Sequence, residues 1–163
     1  MFDLSAPKFA PLRYVAPGQS EFLSPEDLQQ PATWPSITQL RIVCDEIPQW
    51  PIDIQIDPTY YGGGGPPPGF QAPPITIGDI LVKIYEHLAQ RISHMDWAGL
   101  APEQETAIGR AYTLRCKALG SAEAVERSHG VKRIDFCLGK VWFRGLTRTA
   151  EGMNVLKLHL YRK

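Results

Sequence analysis

Residues 40–57 read LRIVCDEIPQWPIDIQID, and two alternating runs within them decide the fold. Leu40, Ile42 and Cys44 alternate with Arg41 and Val43. Trp50, Ile52, Ile54 and Ile56 alternate with Pro51, Asp53, Gln55 and Asp57. Period-two alternation of this kind marks strands with one buried face. If residues 45–49 close a hairpin, Cys44 faces Trp50, Ile42 faces Ile52 and Leu40 faces Ile54. Every apolar side chain then lies on one side, and Arg41 meets Asp53 across the other. Pro51 lacks an N–H, which suggests that the second strand lies at a sheet edge or that this nitrogen points away from a neighbour.

Downstream the period changes. Thr76 and Asp79 have capping-box spacing, and Ile77, Ile80, Leu81, Ile84, Leu88 and Ile92 follow as one helical stripe. Ser93 and Asp96 repeat the cap for a short turn carrying Trp97 and Leu100. Pro102 at a first helical position and Gly120 as a terminator bracket a second long helix over Glu103–Leu119. The last third returns to alternation. Ile134, Phe136 and Leu138, a Gly139-Lys140 turn, then Val141 and Phe143 predict a hairpin with Asp135 opposite Arg144 and Cys137 opposite Trp142. Leu156, Leu158 and Leu160 predict a final strand. The expected fold class is α+β: one domain with about five mainly antiparallel strands and two main helices on one face.

Proline and charge divide the chain near residue 74. Fourteen of the fifteen prolines lie at or before Pro74. Residues 1–74 hold three basic and eight acidic groups, and residues 75–163 hold fourteen and nine. The whole chain is neutral, and its basic residues are scattered, which disfavours a nucleic-acid face. Residues 1–36 are expected to form an extended, proline-rich arm packing on the domain of 37–163, with a turn of helix at Ser24-Pro25. Residues 57–74, DPTYYGGGGPPPGFQAPP, predict a surface loop. Their glycines lack phosphate-loop spacing. Tyr60, Tyr61 and Phe70 are large for a solvated tract and are candidates for docking on a partner or closing over a ligand.

Three widely spaced cysteines do not make a disulfide framework. With no secretory signal pattern and no transmembrane run, a cytoplasmic location away from membranes is expected. No GxSxG, CxxC, SxxK or HExxH pattern occurs, and no cofactor or metal is expected.

The order Pro31-Ala-Thr-x-Pro, Leu40-x-Ile, Trp50-Pro-Ile-x-Ile, Thr76-Ile-Gly-Asp-Ile-Leu, Arg115, Gly130-Val-x-Arg-Ile-Asp, Gly139 with Phe143-x-Gly-Leu, and Leu156-x-Leu resembles a domain family of unknown function abundant in mushroom-forming fungi (basidiomycetes). The similarity spans about residues 28–160. It implies a small intracellular α+β domain with a variable loop at the Gly/Pro tract, and it implies no activity.

Two residues stand out chemically. Arg115 falls in the middle of the apolar stripe Ile108, Ala111, Tyr112 and Leu119. A guanidinium there needs a partner, either a carboxylate or carbonyls of the protein, with the Pro31–Pro35 segment a candidate, or an acidic ligand. His87, at the rim of the first helical stripe, is the best candidate proton carrier. Cys44, ending a strand, is the likeliest reactive thiol, and Trp142, on the face away from the core, marks an interface if nothing covers it. The favoured function is a non-catalytic protein-interaction module or homodimer. The alternative is a small-molecule binder or enzyme whose pocket lies between sheet and helices. There Arg115 would hold an acidic group, His87 would move a proton, and Tyr60, Tyr61 and Phe70 would close over the site.

Overall fold

The computed structural model describes residues 2–56, 72–150, 152 and 154–162. The central pair follows the alternation. Strands β3 (Gln39–Val43) and β4 (Ile52–Gln55) run antiparallel with Leu40 opposite Ile54, Arg41 opposite Asp53 and Ile42 opposite Ile52. Arg41 forks onto Asp53 at 2.6 and 3.0 Å on the solvent side. The regular pairing stops there. Trp50 precedes β4 instead of facing Cys44, and packs edge-on against Phe136 at 4.8 Å. The connecting loop turns twice, at Ile47 N–H to Cys44 and Trp50 N–H to Ile47, and buries Ile47 completely.

Helix α2 (Ile77–Ala89) carries the predicted capping box. Thr76 Oγ1 accepts from the Asp79 N–H at 3.1 Å, and Asp79 accepts from the Thr76 N–H at 2.8 Å. Its stripe Ile80, Leu81, Ile84 and Leu88 is buried and packs toward β4. The cap at Ser93 and Asp96 opens the short α3 (His94–Ala98). Helix α4 (Pro102–Lys117) follows. It packs one layer further out, against α5 (Glu123–Ser128) and the turn described next.

Residues 133–138 depart from the predicted strand. Arg133–Cys137 is a 3-10 helix, and Leu138 after it is left-handed at φ 49°. The Lys132 N–H donates to Asp135 at 2.9 Å, capping this turn. A strand would put Ile134 on one face and Asp135 with Cys137 on the other, yet all three are buried. The 3-10 turn lets Asp135 point inward to a cation, so the expected pairs Asp135–Arg144 and Cys137–Trp142 do not form. Strand β5 (Trp142–Arg148) pairs antiparallel with β6 (Val155–Tyr161), with Trp142 opposite Tyr161. Strand β6 also runs parallel to β3, giving the order β4-β3-β6-β5.

Residues 2–37 add a small hairpin, β1 (Leu12–Ala16) and β2 (Gln19–Phe22), turned at Gly18 with φ 77°. Helix α1 (Pro25–Leu28) follows with the Ser24 cap. Phe2 and Leu4 are buried, and their backbone lies on the outer edge of β5. The Leu4 N–H donates to Val141 at 2.8 Å, and the Phe143 N–H to Phe2 at 3.0 Å. Burying two such side chains contributes about 1.5–3 kcal/mol each. Among the described residues, then, six strands form two sheets beside five α-helices, an α+β architecture with one main core.

Candidate functional site

Arg115 sits on the inner side of α4, 8% exposed. Its Nε and Nη2 donate to the two oxygens of Asp135 at 2.7 and 2.9 Å, a parallel fork. Nη1 meets Glu126, and Nη2 also reaches the Gly130 carbonyl at 3.3 Å. The Tyr112 ring lies 5.6 Å beneath the guanidinium. These partners come from α5 and the 3-10 turn, so the 31–35 segment does not supply them. Glu126 is shared: Lys132 and Arg115 meet one oxygen, and His129 lies 3.3 Å from the other. Burial pushes the Glu126 carboxyl up, but Lys132, His129 and Arg115 together outweigh it and hold it below the usual range. Burial likewise opposes charge on Arg115, and Asp135 and Glu126 more than restore it.

His87 is equally engaged. Its Nε2 lies 3.2 Å from the Trp50 carbonyl, which requires Nε2 to carry the proton. Arg133 Nη1 lies against both ring nitrogens at once, 3.1 Å from Nδ1 and 2.9 Å from Nε2. Burial, with Arg133 adding to it, pushes His87 down to about 4. A neutral imidazole between a backbone carbonyl and a guanidinium is poorly suited to carry protons near neutrality. Arg133 in turn stacks over the Trp50 ring at 5.1 Å. The cavities that reach Arg115 do not reach His87, so the two are not brought into one site.

Cys44 is buried beside Glu46, and burial first, then that carboxylate, pushes its thiol up to about 12. Cys116 and Cys137 are buried free thiols as well. Trp142 is half-buried, its backbone bridged to Asp3 and its ring 6.3 Å from Tyr161. Tyr60, Tyr61 and Phe70 lie outside the described residues. Among the described residues no group of three His, Cys, Asp or Glu side chains is placed to hold a metal. None of the helices there is long and apolar enough to cross a membrane.

What the surface does offer is a groove of about 420 Å³ between α4 and the turn at Leu138–Val141. Ala107, Ala111 and Leu114 line one wall and Leu138 and Val141 the other, with the stem of Arg115 between them. Leu114 is 69% exposed and Leu138 41%. Arg110 and Arg162, both exposed, also line it. Sequence reasoning missed this groove. Ala107, Ala111 and Leu114 at i, i+4 and i+7 form a second, narrower stripe on α4, and that spacing was the available signal.

Fold and site together define a small α+β domain whose buried Arg115 and Asp135 are paired with each other and whose groove beside α4 is largely apolar. The chain belongs to a family of unknown function, DUF6699, whose profile matches residues 1–152 and so takes in the N-terminal segment as well. Comparison with curated proteins and with solved structures finds no match.

Proposed function

We propose that this protein is a small cytoplasmic interaction module without catalysis, and that the groove beside α4 receives another polypeptide chain. The observation that carries this reading is the state of Arg115. A groove of ligand size reaches it, yet its guanidinium is turned inward and spent on Asp135 and Glu126. What faces outward is apolar surface with two exposed leucines. Large apolar groups left in a concavity on a small domain mark contact surfaces.

Native mass spectrometry of gently purified protein, beside Leu114→Ser, tests this. A protein partner or second copy bound to the wild type and absent from Leu114→Ser is the expected result. A bound small molecule of a few hundred daltons, lost in the same variant, would overturn the reading and favour a ligand-binding protein.

A further inference from the structure

We propose that the chain received by the α4 groove is an acidic amphipathic segment, with apolar side chains against Leu114 and Leu138 and carboxylates at the rim. This rests on the interaction reading above and adds the chemistry of the partner. Three arginines line the groove and, among the described residues, no carboxylate does. Arg115 is neutralised from within by Asp135 and Glu126. Arg110 and Arg162 are not. Both are exposed, and neither has a carboxylate partner among the described residues.

Their positions frame the apolar floor. Arg110 lies one helical turn before Leu114 on α4. Arg162 follows β6 and donates through Nη2 to the Leu138 carbonyl at 2.7 Å, beside the second leucine. Guanidinium groups at the edge of an apolar trough select carboxylates, by forked hydrogen bonding and by steering the encounter. A nucleic acid would find no aromatic side chain in this trough to stack on.

Leu138 supplies an independent observation. A leucine at φ 49° occupies a conformation that favours glycine, and its side chain is not buried in compensation. Strain of this kind concentrates where a side chain must be presented.

The test uses the full chain as bait for a displayed library of random 16-residue peptides, beside Leu114→Ser and Arg110→Gln/Arg162→Gln. Circular dichroism melts establish that each variant is folded. Peptides enriched on the wild type should combine Asp or Glu with Leu, Phe or Trp. Their affinity should fall at least tenfold on either variant, and the wild-type affinity should weaken with salt. Enrichment that depends on Leu114 but shows no acidic bias, or is unchanged by the double Arg variant, overturns the acidic partner and leaves the docking reading standing. If no enrichment depends on Leu114, both fall. Displacement of the peptides by micromolar dodecanoate would put a fatty acid in the groove and overturn both.

Discussion

Arg115 and Asp135, twenty residues apart, meet through two parallel hydrogen bonds in a setting where Asp135 is only 2% exposed. The pair ties α4 to the 3-10 turn, and Glu126 extends it to α5. One guanidinium thereby joins three elements that pack on one another.

Arg115→Met should therefore strand a buried carboxylate and destabilise the fold by about 3–5 kcal/mol in urea titration. Arg115→Lys, which cannot reproduce the fork, should lower the melting temperature by several degrees. Arg115→Met with Asp135→Leu should recover a large part of the loss, because no charge remains unpaired. An Arg115→Lys protein that melts like the wild type would remove this pair from the account of stability.

His87 gives stability a pH dependence. Its folded value, about 4, lies below the ordinary 6.5, so between those values the unfolded chain binds more protons than the folded one. The contribution is fully present above pH 6.5 and is lost as pH falls toward 4. For a half-buried imidazole, whose interactions solvent partly screens, it amounts to on the order of 2 kcal/mol. Glu126, held low, weakens the fold only further down in pH. Melts from pH 7 to 5 should fall more steeply for the wild type than for His87→Gln, and parallel curves would exclude the effect.

Leu138→Gly should stabilise the protein by about 0.5–1 kcal/mol, since glycine adopts φ 49° without strain and little burial is forfeited. The same substitution removes one wall of the α4 groove. A gain in melting temperature accompanied by weaker partner binding is the expected result, and a loss of stability would show that the leucine is packed more tightly than its exposure indicates.

All three thiols should resist an aromatic disulfide reagent at pH 8 in the folded protein and react promptly in guanidinium. Cys44, the residue closest to a loop, is buried and pushed up to about 12. A fast-reacting thiol in the native state would mean that the loop after β3 opens readily.

What could be read in the sequence was local. The β3–β4 register, the caps at Ser24, Thr76 and Ser93, and the span of α4 all depend on residues within a few positions of one another. The 133–137 turn could not be read so. Its alternation is that of a strand, and only the distant Arg115 pulls Asp135 inward. The insertion of β6 between β3 and β5 has no local signature either, because parallel pairing leaves none in a hairpin loop. The β1–β2 hairpin has hardly a buried residue and therefore no apolar period to detect. Of the candidate site, Arg115 was legible as a misplaced charge. The spacing of Ala107, Ala111 and Leu114 was there to read, but not that this stripe stays open, since exposure depends on what packs nearby.

The closing of β5 by residues 2–4 also bears on synthesis. Phe2 and Leu4 are made well before their hydrogen-bond partners, Val141 and Phe143, which belong to the last third of the chain. Strand β3 waits similarly for β6. A ribosome must deliver nearly the whole described chain before the sheet can form, and such distant pairings fold slowly. Until then Leu40, Ile42, Ile52 and Ile54 lack the neighbouring strand β6 that covers their sheet. Residues 1–140 made alone should show no cooperative unfolding, and the nascent domain should depend on holdase chaperones during translation.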